Sequence, residues 1–369
     1  MFYHIITTTR CNLQCEYCHG AAEEEFVSLE DLPYTVDYSV PEKLTYKIEK
    51  LKQFIEKDSS PTLTFYGGEP LCNMSKVKEI MDTIDARYMI QTNGILLHML
   101  PSKYTNRFHT ILVSLDGDKE LTNKYRGPNV YEQVIKNIKH IKENGYKNEL
   151  IARMTVMEQT DIEQAIKHLL SIGFTSIHWQ LNAMFWENDL KTRNFEEWVK
   201  TSYNPGIKKL IRYWVDEMKK GTVLKLYPFL DITQDLILNR PSELRCGSGH
   251  SNYTVQTDGN ILYCPIMIGM SDYYCGNITT STPETLKKLA CAEPCTSCDI
   301  REECGGRCLY SNLTKPWNDK GYEILKPTIS NLIEGLKDAL PEIKELIASK
   351  TISLEQFEHV KYNGCEIIP

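Results

Sequence analysis

The sequence of 369 residues predicts an α/β protein, a partial (β/α)6 barrel of TIM type followed by a small cysteine-rich domain with C-terminal helices. Three observations predict it. Short apolar runs alternate with amphipathic runs over the first half of the chain, polar turns follow those apolar runs, and most cysteines lie in the second half. Strands that alternate with helices indicate parallel βα units. Six such strands in about 180 residues form a partial barrel rather than a closed one.

Each predicted strand is a short apolar run bounded by turn residues. The six strands are Phe2–Thr8, Thr62–Tyr66, Tyr88–Gln91, Thr110–Leu115, Leu150–Val156 and Ser176–Leu181. The helices have apolar residues three and four positions apart, and they are Glu42–Lys57, Met74–Ala86, Tyr131–Asn144 and Asp161–Ile172. In such a barrel the chemistry lies at the C-terminal ends of the strands.

The predicted organisation is a barrel, a helical connection and a cysteine-rich domain, at residues 1–182, 183–222 and 223–369. The connection shows apolar residues at helical spacing, from Trp198 to Met218. In the last domain Tyr322–Ser349 is again helical in pattern, and we expect Pro327 and Pro341 to interrupt it.

Composition excludes several classes of function. A net charge of −7 gives no electrostatic basis for binding nucleic acid. No apolar run approaches the roughly 20 residues that span a bilayer, and the N-terminus lacks the features of a signal peptide. We therefore expect a cytoplasmic protein without membrane contact. In that reducing compartment, thirteen cysteines indicate metal ligation rather than disulfides.

Three of the cysteines, Cys11, Cys15 and Cys18, follow the first predicted strand with C-x3-C-x2-C spacing. Structural zinc prefers four protein ligands, so three thiolates make a poor zinc site. They suit a [4Fe–4S] cluster, which closely spaced cysteines hold. One iron would then lack a protein ligand and could bind a substrate or cofactor.

Polar motifs follow the next three strands: Gly67-Gly68-Glu69, Gln91-Thr92-Asn93-Gly94 and Ser114-Leu115-Asp116-Gly117. The paired glycines allow a close backbone approach, and the glutamate beside them can accept hydrogen bonds from an ammonium group. Taken alone, each motif is an ordinary turn sequence.

The second half carries C-x12-G-x4-C from Cys246 to Cys264, then C-x2-C-x5-C-x3-C from Cys295 to Cys308, and finally Cys365. On this half alone a zinc ribbon is a serious alternative.

Taken together, the motifs resemble the radical S-adenosylmethionine (SAM) enzymes with a C-terminal SPASM extension, which mostly modify peptides or proteins. The resemblance covers essentially the whole chain. It implies reductive cleavage of SAM to methionine and a 5′-deoxyadenosyl radical, which abstracts hydrogen from a peptide or protein. The outcome would be a crosslink, an epimerisation or an oxidation, as in the maturation of ribosomally made peptides (RiPPs).

The resemblance implies three [4Fe–4S] clusters. The SAM-binding cluster would use Cys11, Cys15 and Cys18. An outer auxiliary cluster and an inner one would use, respectively, Cys295, Cys298, Cys304 and Cys365, and Cys246, Cys264 and Cys308. The fourth inner site would be open to substrate or filled by Cys275, for which a buried apolar cysteine is an equal alternative. Cys72 and Cys291 are interpreted as buried or incidental thiols.

The resemblance also implies SAM contacts. Tyr17 would lie against the adenine, and Gly67, Gly68 and Glu69 would hold the amino group. The ribose and carboxylate contacts would be Asn93, Ser114 and Asp116, with Arg126 near the same site. Gln180 and Asn182 either face the cofactor or fill the barrel rim.

The expected partners are a reductant such as flavodoxin or ferredoxin and a peptide or protein substrate. Pro265 directly follows Cys264, where the sulfatase-maturing branch has an aspartate, and this counts against formylglycine formation. Because the sequence starts at the first strand, we expect leader recognition to be absent, to lie within 183–222 or 309–364, or to need a separate leader-binding protein.

Three alternatives remain: a radical SAM enzyme acting on a small molecule, an iron–sulfur electron carrier, and a zinc-stabilised binding module. The carrier would not need Gly67-Gly68-Glu69, and the binding module would not need the first three cysteines.

Overall fold

The structure, a computed structural model, describes residues 1–18, 32–183 and 189–369. The chain forms two compact units, each built from segments distant in sequence. The first unit comprises 1–115, 119–151 and 248–290, and the second comprises 116–118, 152–247 and 291–369. The predicted boundaries at residues 182 and 223 stay a prediction, and residues 184–188 of the predicted connection lie outside the described residues.

The strands of the described chain are numbered in chain order. They are β1 (Phe2–Ile6), β2 (Thr62–Tyr66), β3 (Arg87–Thr92), β4 (Phe108–Ser114), β5 (Glu149–Val156), β6 (Ser176–Leu181), β7 (Lys225–Leu226), β8 (Asn252–Val255), β9 (Asn260–Leu262) and β10 (Tyr274–Asn277). The six predicted strands correspond to β1–β6, with ends that differ by no more than a few residues. The α/β class with parallel strands is therefore confirmed.

In the first unit, β1, β2, β3 and β4 are parallel neighbours in that order. Phe2 lies beside Thr62, and Ile6 beside Tyr66. Their carboxyl ends meet at one edge because parallel strands in register end together. The cysteine loop, Gly67-Gly68-Glu69 and Asn93 each directly follow one of these strands, so the fold brings them to that same edge.

The sequence did not predict the strands that extend the other side of β1. β8 pairs with β1 in parallel, and β9 and β10 add to it antiparallel. They are only three or four residues long and are not separated by helices. Alternation of strands with helices, the signal used above, therefore does not detect them.

The α-helices are α1 (Ile48–Ile55), α2 (Met74–Thr83), α3 (Ser102–Thr105), α4 (Lys119–Arg126), α5 (Val130–Glu143), α6 (Ile162–Ser171), α7 (Asp189–Thr192), α8 (Phe195–Trp198), α9 (Asn204–Lys219), α10 (Tyr227–Leu238), α11 (Arg301–Cys304), α12 (Leu309–Thr314) and α13 (Asn318–Ala348). A π-helical turn, Val199–Tyr203, joins α8 to α9. The apolar spacing from Trp198 to Met218 corresponds to helical residues in the structure, and Trp198, Leu210, Trp214 and Met218 are buried. The assignment of 183–222 as a connection between domains stays a prediction. No helix among the described ranges is both long and apolar enough to cross a membrane.

The predicted helix Glu42–Lys57 is wrong in its first turn and a half, because α1 begins only at Ile48. The preceding residues are extended and bonded to neighbours. The Leu44 N–H donates to the Thr7 carbonyl over 3.1 Å, and the Thr45 N–H donates to the Thr257 carbonyl over 2.9 Å. These amide groups are therefore committed to contacts outside the helix.

The expected interruption of the C-terminal helix is also wrong, because α13 runs through Pro327 and Pro341. Its buried face includes Leu325, Leu332 and Leu336. A proline inside a helix costs about 3 kcal/mol, whereas each buried leucine or isoleucine contributes roughly 1.5–3 kcal/mol. Packing against α9 and α10 therefore outweighs the two prolines.

Candidate active site

The cysteine loop follows β1 at the carboxyl edge of the first unit. Cys11 and Cys18 are exposed, and Cys15 is partly buried. The Cys18 N–H donates to the Cys15 carbonyl over 3.0 Å, and the Leu13 N–H donates to Cys11 Sγ over 3.4 Å. Three thiols on one short loop, two of them open to solvent, fit the three protein ligands of a [4Fe–4S] cluster whose fourth iron binds an exogenous group.

Gly67 and Gly68 lie directly against the segment that leads into this loop. The Gly68 N–H donates to the Thr8 carbonyl over 3.2 Å, and the Glu69 N–H donates to the Arg10 carbonyl over 2.7 Å. A Cβ atom on Gly67 would lie 2.5 Å from the Thr8 carbonyl oxygen, and one on Gly68 would clash with the carbonyls before Cys11. Because both residues are glycine, the backbone of this turn can pack directly against the backbone of the segment before Cys11.

Glu69 is buried, and both its carboxylate oxygens accept hydrogen bonds. Oε1 accepts from the Leu71 N–H over 3.0 Å and from Thr92 Oγ1 over 2.9 Å, and Oε2 accepts from the Asn93 N–H over 2.7 Å. Burial raises the pKa of Glu69 to about 7, although these three donors oppose the shift. The carboxylate is therefore fixed at the ends of β2 and β3, where it can accept a bond from an ammonium group.

Asn93 connects this carboxylate to the cysteine loop. Its Nδ2 donates to Asn12 Oδ1 over 2.8 Å and lies 3.7 Å from Cys11 Sγ. Cys11, Glu69 and Asn93 therefore form one bonded group, as the strand-end motifs predict. Cys72, interpreted from the sequence as a buried or incidental thiol, is exposed, and its N–H donates to the Glu69 carbonyl over 3.0 Å.

Tyr17 and Arg126 also meet. The Glu16 N–H donates to the Tyr125 carbonyl over 2.9 Å, which fastens the cysteine loop to the end of α4. The guanidinium of Arg126 lies over the Tyr17 ring, 5.4 Å from its centroid. A cation over the ring stabilises its orientation, and the Tyr125 ring lies beside it with centroids 6.1 Å apart.

The remaining predicted cofactor contacts occupy ordered positions. Ser114 closes β4 and is partly buried. Asp116 is buried, and its Oδ1 accepts the Thr155 N–H over 3.0 Å. On β6, Gln180 is partly buried, and Asn182 Nδ2 contacts Met157 Sδ at 3.1 Å. Their assignment as SAM contacts stays a prediction.

A second group of thiols lies within the second unit. Cys295, Cys298, Cys304 and Cys308 line one cavity of about 70 Å³. The Tyr322 hydroxyl donates to Cys298 Sγ over 3.3 Å. Cys291, interpreted from the sequence as an incidental thiol, is hydrogen-bonded to Cys295, which raises the pKa of Cys291 and lowers that of Cys295 to about 7.

Arg307 lines the same cavity and is buried, yet its Nε and Nη2 have no hydrogen-bond partner among the described residues. Burial lowers its pKa, and the nearby Cys308, Tyr203 and Cys304 oppose that shift. Thiols beside an unpaired buried cation suit an anionic, thiolate-bound metal cluster. The four thiols of this cavity therefore fit one such cluster, and the division of ligands between two auxiliary clusters stays a prediction.

A buried ion network joins three segments that carry predicted ligands. Arg245, next to Cys246, donates to Asp231, to Asp235 over 3.0 Å and to the Glu303 carbonyl over 3.2 Å. Glu366, next to Cys365, lies 3.0 Å from His359 Nε2. The bonds from His359 to Asp231 and Glu366 outweigh its burial and raise its pKa to about 10.

Asp231, His359 and Glu366 have ligand atoms within 4.8 Å of one another, close enough to hold a metal ion. Arg245 and Lys361 already contact Asp231, however, and Lys361 Nζ lies 3.0 Å from its Oδ1. Positive and negative groups are balanced without an ion. We therefore interpret this cluster as structural.

Cys264 and Cys275 lie on the β9–β10 hairpin of the first unit and are both buried. The Cys275 thiol donates to the Ile261 carbonyl over 3.3 Å, and burial raises its pKa to about 12. This contact favours the interpretation of Cys275 as a buried thiol. The inner ligand set of Cys246, Cys264 and Cys308 stays a prediction.

Comparison with known proteins agrees with this geometry. Residues 5–171 match the model of the Radical SAM superfamily. The radical SAM cyclopropyl synthase TigE of Paramaledivibacter caminithermalis is 23% identical over 375 residues, which covers 90% of this chain and 74% of TigE.

Two solved structures have the same fold. The structure of native anSMEcpe with bound AdoMet matches with a TM-score of 0.70 at 17% identity, covering 95% of this chain and all of that one. Streptococcus suis SuiB matches with a TM-score of 0.54 at 14% identity, covering 83% of this chain and 72% of SuiB. Residues 5–171 therefore form a Radical SAM domain, and the protein is an enzyme with the same fold as anSMEcpe and SuiB.

Proposed function

We propose that this radical SAM enzyme abstracts hydrogen from a peptide or protein and so installs a crosslink, an epimerisation or an oxidation, as in RiPP maturation. The observation that carries the chemistry is the bonded group of Cys11, Asn93 and Glu69, which sets a thiol beside a fixed carboxylate acceptor. The peptide substrate is supported by proteins of similar fold. They include anSMEcpe with bound Cp18Cys peptide (TM-score 0.69) and SuiB bound to its precursor peptide SuiA (TM-score 0.51).

In this proposal Cys11, Cys15 and Cys18 hold the first [4Fe–4S] cluster, which when bound with SAM supplies the electron that cleaves it. Glu69 would accept a hydrogen bond from the SAM ammonium group. The three hydrogen bonds that its carboxylate accepts from neighbouring residues fix its orientation. Tyr17, whose ring is oriented by Arg126, would lie against the adenine. Asn93, Ser114, Asp116 and Arg126 complete the site as the proposed contacts to ribose and carboxylate.

The second part of the proposal concerns the auxiliary clusters. Cys295, Cys298, Cys304 and Cys365 would hold the outer one, and Cys246, Cys264 and Cys308 the inner one. The buried thiols and the unpaired Arg307 support this assignment. We propose flavodoxin or ferredoxin as the reductant, a separate leader-binding protein, and the reducing cytoplasm as the compartment that keeps these thiols available.

The test begins with anaerobically reconstituted protein. We expect about twelve irons per chain, the sum of three four-iron clusters, and 5′-deoxyadenosine from SAM and dithionite. Cys15→Ala removes one ligand of the first cluster and should abolish 5′-deoxyadenosine while leaving roughly eight irons, the content of two such clusters. Cys72→Ala is the matched variant, a nearby thiol that is not assigned as a ligand, and it should keep cleavage.

Persistent cleavage in Cys15→Ala would show that the first ligand set is wrong. The substrate is then sought among small peptides encoded nearby, with a mass change in the peptide as the readout. Cleavage coupled only to a small molecule would replace the peptide with that substrate. Bound zinc, or iron without any cleavage, would favour the binding-module or electron-carrier alternative.

A further inference from the structure

One buried cation of the cavity in the second unit, Arg307, lacks hydrogen-bond partners for part of its guanidinium group. Arg307 is 7% exposed, and it lies between Cys304 and Cys308 in the sequence. Two of its three guanidinium nitrogens, Nε and Nη2, have no partner in the described part of the chain. Leaving a buried charged group without hydrogen bonds costs several kcal/mol or more. A partner of opposite charge that is present during function would offset this cost.

The local backbone explains how Arg307 is held there. Gly305 and Gly306, which directly precede it, have φ values of 71° and 92°, in the region that favours glycine. A Cβ atom on Gly305 would clash with the Glu243 carbonyl, and one on Gly306 would lie 2.9 Å from Cys291 Sγ. The tight path therefore fixes Arg307 beside the thiols.

Three other cations line this cavity. Arg301 is only partly buried, and one of its nitrogens, Nη1, has no partner among the described residues. The two lysines are paired with carboxylates. Lys315 is 45% exposed and pairs with Asp319 over 3.1 Å. Lys326 is 33% exposed and pairs with Asp299 over 2.6 Å. Water screens both of these charges, whereas the charge of Arg307 acts through the low-dielectric interior. Of these four cations Arg307 is the most deeply buried, so its charge would act most strongly on a group bound to the thiols.

We infer that Arg307 is the built-in counter-cation of the auxiliary clusters and raises their reduction potential. This inference rests on the proposed function, since it requires the auxiliary clusters to be present. Net charge and hydrogen bonds to sulfur set the potential of an iron–sulfur cluster. Reduction adds one negative charge, so a fixed cation nearby stabilises the reduced state more than the oxidised state. Arg307 lies close in sequence to Cys304 and Cys308, which are assigned to the outer and the inner auxiliary cluster. The reduction potentials of both clusters therefore test the inference.

The experiment uses Cys15→Ala as background, so that electron paramagnetic resonance reports the auxiliary clusters alone. Midpoint potentials are measured by anaerobic redox titration for this protein and for added Arg307→Gln or Arg307→Lys. We expect Arg307→Gln to keep its iron and to lower at least one potential by about 59 mV or more, a tenfold change for a one-electron couple. Arg307→Lys keeps the positive charge, so its midpoint potentials should stay close to those of the Cys15→Ala background. Lys315→Gln, in the same cavity, should change the potentials much less.

The outcomes separate the two proposals. Absence of iron in the Cys15→Ala background would show that the auxiliary clusters do not form, and both the proposed clusters and this inference would then be wrong. Iron with unchanged potentials in Arg307→Gln would overturn the inference alone. If Arg307→Gln fails to load iron, loading restored by Arg307→Lys supports a need for positive charge. Failure of both variants would show that the side chain is structural, and the inference would then be wrong.

Discussion

The two groups of thiols differ in how the protein surrounds them. In the first unit, Cys11 and Cys18 are exposed on a loop. The backbone of the Gly67-Gly68-Glu69 turn donates hydrogen bonds to the segment directly before that loop. In the second unit, Cys304 and Cys365 are buried, and the charged partners around them are buried as well. Both arrangements suit thiolate ligation, but they suit different uses of it.

The difference indicates a division of labour. An exposed loop beside a fixed carboxylate can admit and release a small cofactor at every turnover. In the second unit, Cys304 and Cys365 are buried and the other assigned thiols are partly buried, and with an internal cation beside them we expect electron storage or transfer rather than exchange of ligands. The first unit therefore depends on close backbone contacts, and the second on balanced buried charge. Each dependence can be tested separately.

The largest effect is expected for Arg245→Gln in the second unit. This change leaves Asp231 and Asp235 buried without their main cation, and it removes two donors from the Glu303 carbonyl. Breaking a buried ion pair on one side typically costs about 3–5 kcal/mol of unfolding free energy. Four of the chain's five tryptophans, Trp179, Trp198, Trp214 and Trp317, lie in described segments of the second unit, so tryptophan fluorescence during urea unfolding measures this loss.

Arg212→Gln is the matched control for that measurement. Arg212 is 58% exposed and pairs with Glu342 over 2.8 Å. Exposed pairs of this kind contribute about 0–1 kcal/mol. Similar losses for the two variants would contradict a special role for buried charge in the second unit.

The next effect concerns the backbone contacts of the first unit. In Gly68→Ala the added methyl group clashes with the Thr9 and Arg10 carbonyls, which are rigid backbone atoms directly before Cys11. Overpacking of this kind costs about 1–3 kcal/mol, and here the displaced segment is the cysteine loop. We expect weaker SAM binding and loss of iron from the first cluster, measured by equilibrium binding and iron content.

Gly173→Ala separates the clash from the general effect of replacing a glycine. Gly173 has a φ of 93°, and a methyl group added to its Cα would meet no atom of the described residues within 4 Å. The variant should therefore lose roughly 1–2 kcal/mol of stability through backbone strain alone and keep SAM binding. Equal SAM affinities in the two variants would show that the contact at Gly68 does not position the loop.

The sequence could predict that Cys11, Glu69 and Asn93 lie together because the signals for this are local. Strand β1 and the three cysteines are adjacent in sequence, and Glu69 and Asn93 directly follow apolar strands. Parallel strands end at one edge, so adjacency in sequence became proximity in the fold. The beginning of α1 could not be predicted, because the amide groups of Leu44 and Thr45 bond to residues far away in the sequence.

The second group was predicted by cysteine spacing but not in its surroundings. Arg307 directly precedes Cys308, yet an arginine in a turn is ordinarily a surface residue. Its burial depends on tertiary packing around Tyr203 and the thiols, which no local pattern records. The ion network around Arg245 likewise depends on tertiary packing. Its members Asp231 and Glu366 lie on α10 and next to the C-terminal Cys365, far from Arg245 or from each other in the sequence.

The smallest effect is a pH dependence that distinguishes the two units. Glu69 has a pKa of about 7 because it is buried, and only its ionised form attracts the SAM ammonium group. Protonation therefore competes with SAM. Affinity should fall about tenfold for each unit of pH below 7, and Glu69→Gln should abolish this slope. Glu366, in the second unit, has a pKa that burial likewise raises to about 7, so Glu366→Gln should leave the slope intact. A slope that follows Glu366 instead would mean that SAM binding senses the buried charge network rather than the carboxylate at the strand ends.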